Sequence, residues 1–388
     1  MTLTKEPDVT FRDMLHPAAA KRTLIDAADR PYMTWHQDAI TCLISTWLIM
    51  GLYMDGWAHS NQTTLDSIAT PWHALFYGSF LALSGWMLWH LRFHHDAGHR
   101  GLAAIPVGYG GGLAGLVIFT IGGIGDQIWH LSLGIERDLK AFISPTHLLL
   151  IIGMLLMLSS PFRSQWAQRG PRSPSFARIL PALWSITLTM MLTAITYNYA
   201  FAYAGNLPQI SAKGFVAGFP GNTSIPLLTV FEQRFEAQGV LVLHMTTFMF
   251  VLPILVMLRR WQRLPFGSCT FLFTAVTAAT LAMFQYANGW TLIAAVVSGL
   301  VCDWLIQVLR PNTSNVWSFR LFALLAPMVM WTSYFIVVAI AYDLGWALEL
   351  SAGAVVLTGL ATMTLSYLIA PSPIPPYTDT PAQRAASA

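Results

Sequence analysis

The connection between the first two long apolar runs carries three residues of the types that bind metal ions. Asp55 and His59 stand four positions apart at the end of the first run, and His73 stands at the start of the second, in MDGWAHSNQTTLDSIATPWH. Residues four apart lie on one face of a helix, one turn from each other. Two imidazoles and one carboxylate form a ligand set that leaves open positions on an ion. The spacing therefore predicts a two-histidine, one-carboxylate metal site.

The same arrangement occurs again in GDQIWHLSLGIERDLKAFISPTH, which places Asp126, His130 and His147 at corresponding positions. In a single connection, Asp and His near helix ends are commonly solvated polar residues with no further role. Because both connections repeat Asp-x3-His, a nearby Trp and Pro-x-His, we interpret the six residues as metal ligands in a duplicated hairpin. Whether they form one two-metal centre or two separate sites depends on helix packing, which the sequence does not give.

The second histidine of each copy stands at the third position of a predicted helix. Thr70 and Ser144 are favourable N-cap residues, and each is followed by proline, which suits the first helical position. A capped helix start fixes the direction in which His73 or His147 points. Each hairpin is therefore predicted to present its ligands from two facing helix ends.

The order Asp-x3-His, a short connection and then Thr-Pro-x-His resembles the metal-binding segment of the C subunit of particulate methane monooxygenase and ammonia monooxygenase. The resemblance covers about twenty residues in each copy; that subunit has one such segment and works with partner subunits. It implies bound copper, a monooxygenase-like subunit and other membrane subunits as partners. The residues to which it carries metal ligation are Asp55, His59 and His73 in the first copy and Asp126, His130 and His147 in the second.

Other readings of the same residues stay open. Imidazole and carboxylate also suit zinc and iron, although the affinity order of divalent ions favours copper. A divalent-cation transporter would need polar groups that continue through the bilayer, and beyond the connections we find Asp303 and the Thr and Tyr residues of the fifth span. His59 and His130 could be axial haem ligands, and a non-catalytic assembly subunit is a further alternative. No catalytic residue is predicted.

The elements that must position these residues are membrane helices. Of 388 residues, 55% are hydrophobic and only 10% carry charge, which is typical of a polytopic membrane protein. A helix needs about 20 apolar residues to cross the hydrocarbon core. Ten runs of about that length predict an all-α protein with ten spans: 38–57, 71–91, 103–128, 145–161, 179–203, 238–258, 265–286, 288–309, 318–342 and 346–370.

The distribution of Lys and Arg predicts the orientation of these spans. With both termini in the cytoplasm, the cytoplasmic segments hold seventeen of the 21 Lys and Arg, and the outer segments hold four. Positive residues are enriched in cytoplasmic loops. Both metal hairpins are thus predicted at the extracytoplasmic face of a multi-pass protein of the inner or plasma membrane, with the lipid bilayer as its partner. The net charge of +3 reflects this orientation and does not indicate nucleic-acid binding.

The predicted organisation has four parts. They are a cytoplasmic N-terminal segment without a cleavable signal peptide (1–37), a four-helix metal-site unit (38–161), six further helices with an extracytoplasmic loop at 205–237 (162–371), and a Pro-rich, disordered cytoplasmic tail (372–388).

Three other patterns carry weaker expectations. His244, about two turns into the sixth span, is a possible additional ligand, with a packing histidine bonded to a carbonyl as the alternative. HLRFHHDAGHR, residues 90–100, contains four histidines that could collect metal ahead of a transport path, and the favoured prediction is a solvated cytoplasmic connection. Gly111 and Gly115, four residues apart in an apolar run, predict a close helix-packing face.

Overall fold

A computed structural model of the chain describes residues 30–61, 70–134, 139–209 and 225–370. Within these ranges every regular secondary-structure element is an α-helix or a short 3-10 helix. The α-helices are α1 (Trp35–Asn61), α2 (Pro71–Asp96), α3 (Gly110–Leu133), α4 (Leu139–Ile143), α5 (Pro145–Leu158), α6 (Ser160–Ala167), α7 (Phe176–Thr196), α8 (Ile225–Arg260), α9 (Ser268–Met283), α10 (Thr291–Leu309), α11 (Val316–Ala341) and α12 (Leu348–Ile369).

The all-helical prediction is confirmed for the described part of the chain. Eight of its helical segments are long and apolar enough to cross a membrane, which supports a multi-pass membrane protein. The other two predicted spans correspond to α2, which carries Arg92 and Asp96 near its end, and to α9, which has 16 residues.

Several helix boundaries differ from the predicted spans. The fifth span was predicted to reach 203, whereas α7 ends at Thr196 and a 3-10 turn follows. The loop predicted at 205–237 is shorter, because α8 already begins at Ile225. Apolar runs locate the hydrocarbon-facing part of the chain and do not identify the hydrogen bonds that begin and end a helix, so a helix can end before its apolar run or extend beyond it. Residues 210–224 of this loop, most of the predicted N-terminal segment and the predicted tail lie outside the described residues.

One compact unit contains both predicted metal hairpins. It comprises the described residues up to Gly170 together with 175–199 and 275–289. In it, α1 packs along α2, α3 packs along α5, and α7 packs against α1 and α5. The rings of Phe76 on α2 and Phe119 on α3 lie 5.7 Å apart in the shared core. This core joins the two hairpins side by side.

Two glycines set the distance between α3 and α5. A Cβ at Gly115 would stand 2.6 Å from the carbonyl oxygen of Gly153, and a Cβ at Gly153 would stand 2.8 Å from that of Gly115. Real Cβ atoms do not come this close, so the backbones meet only because neither residue has a side chain. The packing face predicted at Gly115 is confirmed, while a Cβ at Gly111 would instead meet the guanidinium of Arg163.

The second compact unit comprises 171–174, 200–274 and the described residues from Trp290 onward. Here α10 packs against α11, α11 against α12, and α8 against α12. Asp303 on α10 accepts hydrogen bonds from the backbone N–H groups of Cys269 and Thr270, at 2.9 and 3.1 Å, at the start of α9. A carboxylate at a helix N-terminus satisfies free N–H groups and complements the helix dipole.

Candidate metal centre

The first three predicted ligands meet where α1 ends and α2 begins. The Oδ1 atom of Asp55 lies 3.4 Å from Nε2 of His73, and its Oδ2 atom lies 3.8 Å from Nε2 of His59. One ligand atom from each of the three residues lies within 4.8 Å of the other two. We call this group the first triad.

The second triad, Asp126, His130 and His147, has the same plan at the end of α3 and the start of α5. Nε2 of His130 lies 3.3 Å from Oδ2 of Asp126, and Nε2 of His147 lies 3.0 Å from Oδ1. The side chains of Asp126 and His130 are 5% and 3% exposed. In both triads the carboxylate is the shared centre, since each of its oxygens faces a different imidazole.

Hydrogen bonds outside the triads orient several of these side chains. The hydroxyl of Thr70 lies 2.9 Å from Nδ1 of His73 and also accepts the backbone N–H of His73, which is the capping bond predicted for Thr70. Nδ1 of His130 lies 3.2 Å from the carbonyl oxygen of Gly134. The hydroxyl of Thr146 donates to Oδ1 of Asp126 at 2.9 Å. Such contacts are typical of metal ligands, because they fix ring orientation and tautomer.

Both triads line one cavity of about 80 Å³. All three residues of the first triad contribute to its wall, and so do Asp126 and His147 of the second. Asp126 and His147 lie close enough to Asp55 to act on it electrostatically. Most of the remaining wall is apolar and includes Leu52, Phe76, Phe142 and Met154. Because the cavity is continuous, the packing places the two triads around a common space.

Comparison of the chain with family models, curated proteins and solved structures gave no match. The assignment of this centre therefore depends on its geometry and on the chemistry of its donors.

Two residues at the site, Tyr77 and Thr146, are not among those predicted from the sequence. Tyr77 lines the cavity, and its ring stacks on His73 with the centroids 6.4 Å apart at 27°. It stands four residues after His73, so helical spacing would have placed both side chains on one face. Thr146 stands directly before His147 in the Pro-x-His motif. Its bond to Asp126 crosses from α5 to α3, and such a contact depends on the packing of the two helices.

His244, the possible additional ligand, belongs to neither triad and lies in the second unit. Its Nδ1 atom lies 2.8 Å from the carbonyl oxygen of Val240, one turn earlier in α8. This contact favours the alternative interpretation, in which His244 is a packing residue bonded within its own helix.

The two predicted helix caps differ. Ser144 has the extended backbone of an N-cap residue, but its side chain makes no capping hydrogen bond. Its hydroxyl instead lies 3.4 Å from that of Thr146. The prediction of a side-chain cap is therefore wrong for Ser144, because its neighbour Thr146 offers a competing polar partner.

This difference gives a matched pair of substitutions. Thr70→Ala is expected to lower the stability of the protein by about 1 kcal/mol through loss of the cap, and to weaken metal binding at the first triad by roughly 10- to 100-fold through loss of the contact to His73. Ser144→Ala should change both quantities little. Thermal unfolding in detergent and competition with a metal chelator measure the two effects. Equal effects of the two substitutions would show that the hydroxyl of Thr70 does not orient His73.

Proposed function

We propose that this protein is an integral membrane protein that binds transition-metal ions, copper foremost, in its two Asp/His triads at the extracytoplasmic face. The observation that carries the proposal is the repeated geometry, in which one carboxylate faces two imidazole Nε2 atoms in each of two hairpins. A chance cluster of polar residues has no reason to occur twice with the same connectivity.

The separations between donor atoms suit a shared ion. Two ligands at about 2.0–2.1 Å from one ion, in tetrahedral arrangement, lie roughly 3.3 Å apart. The four carboxylate-to-imidazole separations run from 3.0 to 3.8 Å and bracket this value. In the first triad, Oδ1 of Asp55 is buried and makes no hydrogen bond, although Nε2 of His73 lies 3.4 Å away. An ion bound between Asp55 and its histidines would compensate the buried charge of the carboxylate.

Copper is the first choice among the candidate ions. Imidazole and carboxylate donors bind copper, zinc and iron, and copper leads the affinity order of divalent ions. The resemblance of both segments to that of the C subunit of the methane and ammonia monooxygenases supports the same choice. Bound copper would supply one-electron and O2 chemistry. In a monooxygenase-like subunit the triads would hold the ion, and the apolar cavity wall would exclude bulk water.

Two alternative functions receive less support from the geometry. The first alternative is haem binding. A cavity of about 80 Å³ is small beside the pockets of ~300–1,000 Å³ that hold drug-sized ligands, and a porphyrin needs more space than such a ligand. For transport, buried acidic groups would have to be available to a passing cation. Asp303 is engaged at the start of α9, and Asp38 accepts hydrogen bonds from Tyr109, Ser164 and Gln165.

Exposed apolar side chains support contact with a lipid bilayer. Ile128 and Leu131 on α3, and Ile340 on α11, are each more than half exposed. Apolar side chains that protrude from apolar helices can be covered by lipid. Other membrane subunits are proposed as partners on the strength of the resemblance alone.

Metal analysis of the purified protein tests the proposal. The double variant His59→Ala, His130→Ala is expected to lose up to two ions per chain, because each triad keeps only one imidazole. His244→Ala is the matched control, since it removes a histidine that contacts its own helix. A visible absorption spectrum of the same samples checks for haem. An unchanged metal content in the double variant, or a haem spectrum that disappears with it, would overturn the assignment.

A further inference from the structure

The histidine-rich segment HLRFHHDAGHR forms the last turns of α2 and the bend that follows it. His90 and His94 are one turn apart on the helix. The helix ends in a Schellman motif, in which the N–H of Gly98 bonds to the carbonyl of His95 and the N–H of His99 bonds to that of His94. Gly98 has a φ of 104°, a backbone conformation that favours glycine. This reversal returns the chain so that His99 lies beside His94.

The burial of two of these histidines differs from the sequence prediction. A solvated connection was expected, yet His90 is 1% exposed and His94 is 8% exposed. The difference arises because α2 continues to Asp96, so that one face of its last turns packs inward. His95 and Asp96 are on the other face and are exposed, as predicted. The segment therefore has a buried imidazole face and a solvated face.

The buried imidazoles lack hydrogen-bond partners. Both ring nitrogens of His90 and Nε2 of His94 are buried without a partner within the described part of the chain. A buried polar group without a partner is costly, and most such groups in folded proteins are paired with protein, water or an ion. Two such side chains one turn apart therefore point to a bound species between them.

The spacing of the rings suits an ion that two of them bind from nearly opposite sides. The ring centroids of His90 and His94 lie 6.1 Å apart, and those of His94 and His99 lie 6.2 Å apart. The corresponding separations in the two triads are 5.6 and 5.8 Å. Two imidazoles bound to one ion at about 2.0–2.1 Å have centroids roughly 5 Å apart at a tetrahedral angle and 6.3 Å apart when they lie on opposite sides. The observed values fall near the upper end of that range.

We infer that His90 and His94, with His99 beside them, form a third metal site at the end of α2 opposite the triads. Its donors are imidazoles without a carboxylate, a donor type that suits copper and zinc; tetrahedral binding of zinc would need the rings to approach by about 1 Å. His73 and His94 are separated by 21 residues of helix, or roughly 30 Å at 1.5 Å per residue, so the site is distinct from the triads. Arg92 and Arg100 flank it, and by the positive-inside rule it faces the cytoplasm.

Zn2+ binding in a background without working triads tests this inference. Protein carrying Asp55→Ala, His59→Ala, Asp126→Ala and His130→Ala, in which each triad keeps a single imidazole, is titrated with Zn2+ alone and is expected to bind one equivalent. Adding His90→Ala and His94→Ala should remove that equivalent. Adding His95→Ala, an exposed histidine on the same turn, should leave it in place.

Two further measurements separate loss of the site from loss of the fold. With intact triads, the His90→Ala, His94→Ala variant should keep the metal that the triads hold, which reports correct folding. If that variant does not fold, His99→Ala is used, because His99 lies after the helix and is only half-buried; it should weaken Zn2+ binding about 10-fold.

The ring of Trp86 stands nearly perpendicular to that of His90 at 4.4 Å, so a ring N–H pointing at the indole face is the competing explanation. No Zn2+ equivalent in the triad-free background, or one that survives the loss of both histidines, would overturn the inference.

Discussion

Replacing Asp55 and Asp126 together by alanine is expected to abolish metal binding by the triads. Each carboxylate places one oxygen toward each of its two imidazoles, so its removal takes away the charge and the common centre of the triad. Loss of an outer-shell contact to a metal ligand typically costs 10- to 100-fold in affinity. We expect the loss of the carboxylate itself to exceed 100-fold at each triad, and to exceed the effect of removing one histidine from each.

Four further variants show whether charge and position account for this effect. Asp55→Asn with Asp126→Asn keeps the shape of the side chains and removes the charge, so an effect close to that of alanine identifies charge as the cause. Asp343→Ala removes an exposed carboxylate between α11 and α12 and should not change the metal content. Each single Asp→Ala variant should lose the metal of its own triad and keep that of the other. Equilibrium dialysis against a chelator series measures all of these affinities, and a double alanine variant with wild-type affinity would contradict the prediction.

The sequence predicts the parts of the site that depend on local spacing. Asp-x3-His places two ligands on one helix face, and Thr70 before proline identifies a capped helix start, so the members of each triad follow from positions close in the chain. The common cavity could not be predicted, because it depends on how the α1–α2 hairpin packs against the α3–α5 hairpin. For the same reason the sequence does not predict the bond between Thr146 and Asp126 or the burial of His90.

Apolar runs likewise predict the membrane helices better than they predict their ends. Helix α8 extends to Ile225 through residues too polar for a hydrophobicity count, and α2 continues beyond its apolar run to Asp96. The extension of α2 to Asp96 brings His94 onto the buried face of the helix and places Gly98 in the bend that follows the helix. The sequence thus predicts a loop where the chain forms a polar helix end.

Replacing glycine by alanine is expected to have opposite effects on stability at Gly153, which contacts Gly115, and at Gly85, which has open space around it. Gly153→Ala places a Cβ 2.7 Å from that of Phe119 and 2.8 Å from the carbonyl oxygen of Gly115, so α3 and α5 must move apart. Overpacking of this kind typically costs about 1–3 kcal/mol. Gly85→Ala adds a Cβ on α2 with nothing within 4 Å, and should be neutral or stabilise the helix by up to about 1 kcal/mol. Thermal unfolding of the two variants in detergent is expected to shift in opposite directions.

The same pair of variants connects helix packing to the metal site. Asp126 is on α3 and His147 is on α5, so a wider separation of these helices pulls the second triad apart. The first triad is held by α1 and α2 and should keep its affinity. We therefore expect Gly153→Ala to weaken one of the two triad sites selectively, and Gly85→Ala to weaken neither, in a chelator competition that resolves the two sites. If Gly153→Ala unfolds earlier but leaves both affinities unchanged, α5 adjusts without moving His147, and the glycine contact stabilises the hairpin without positioning the ligands.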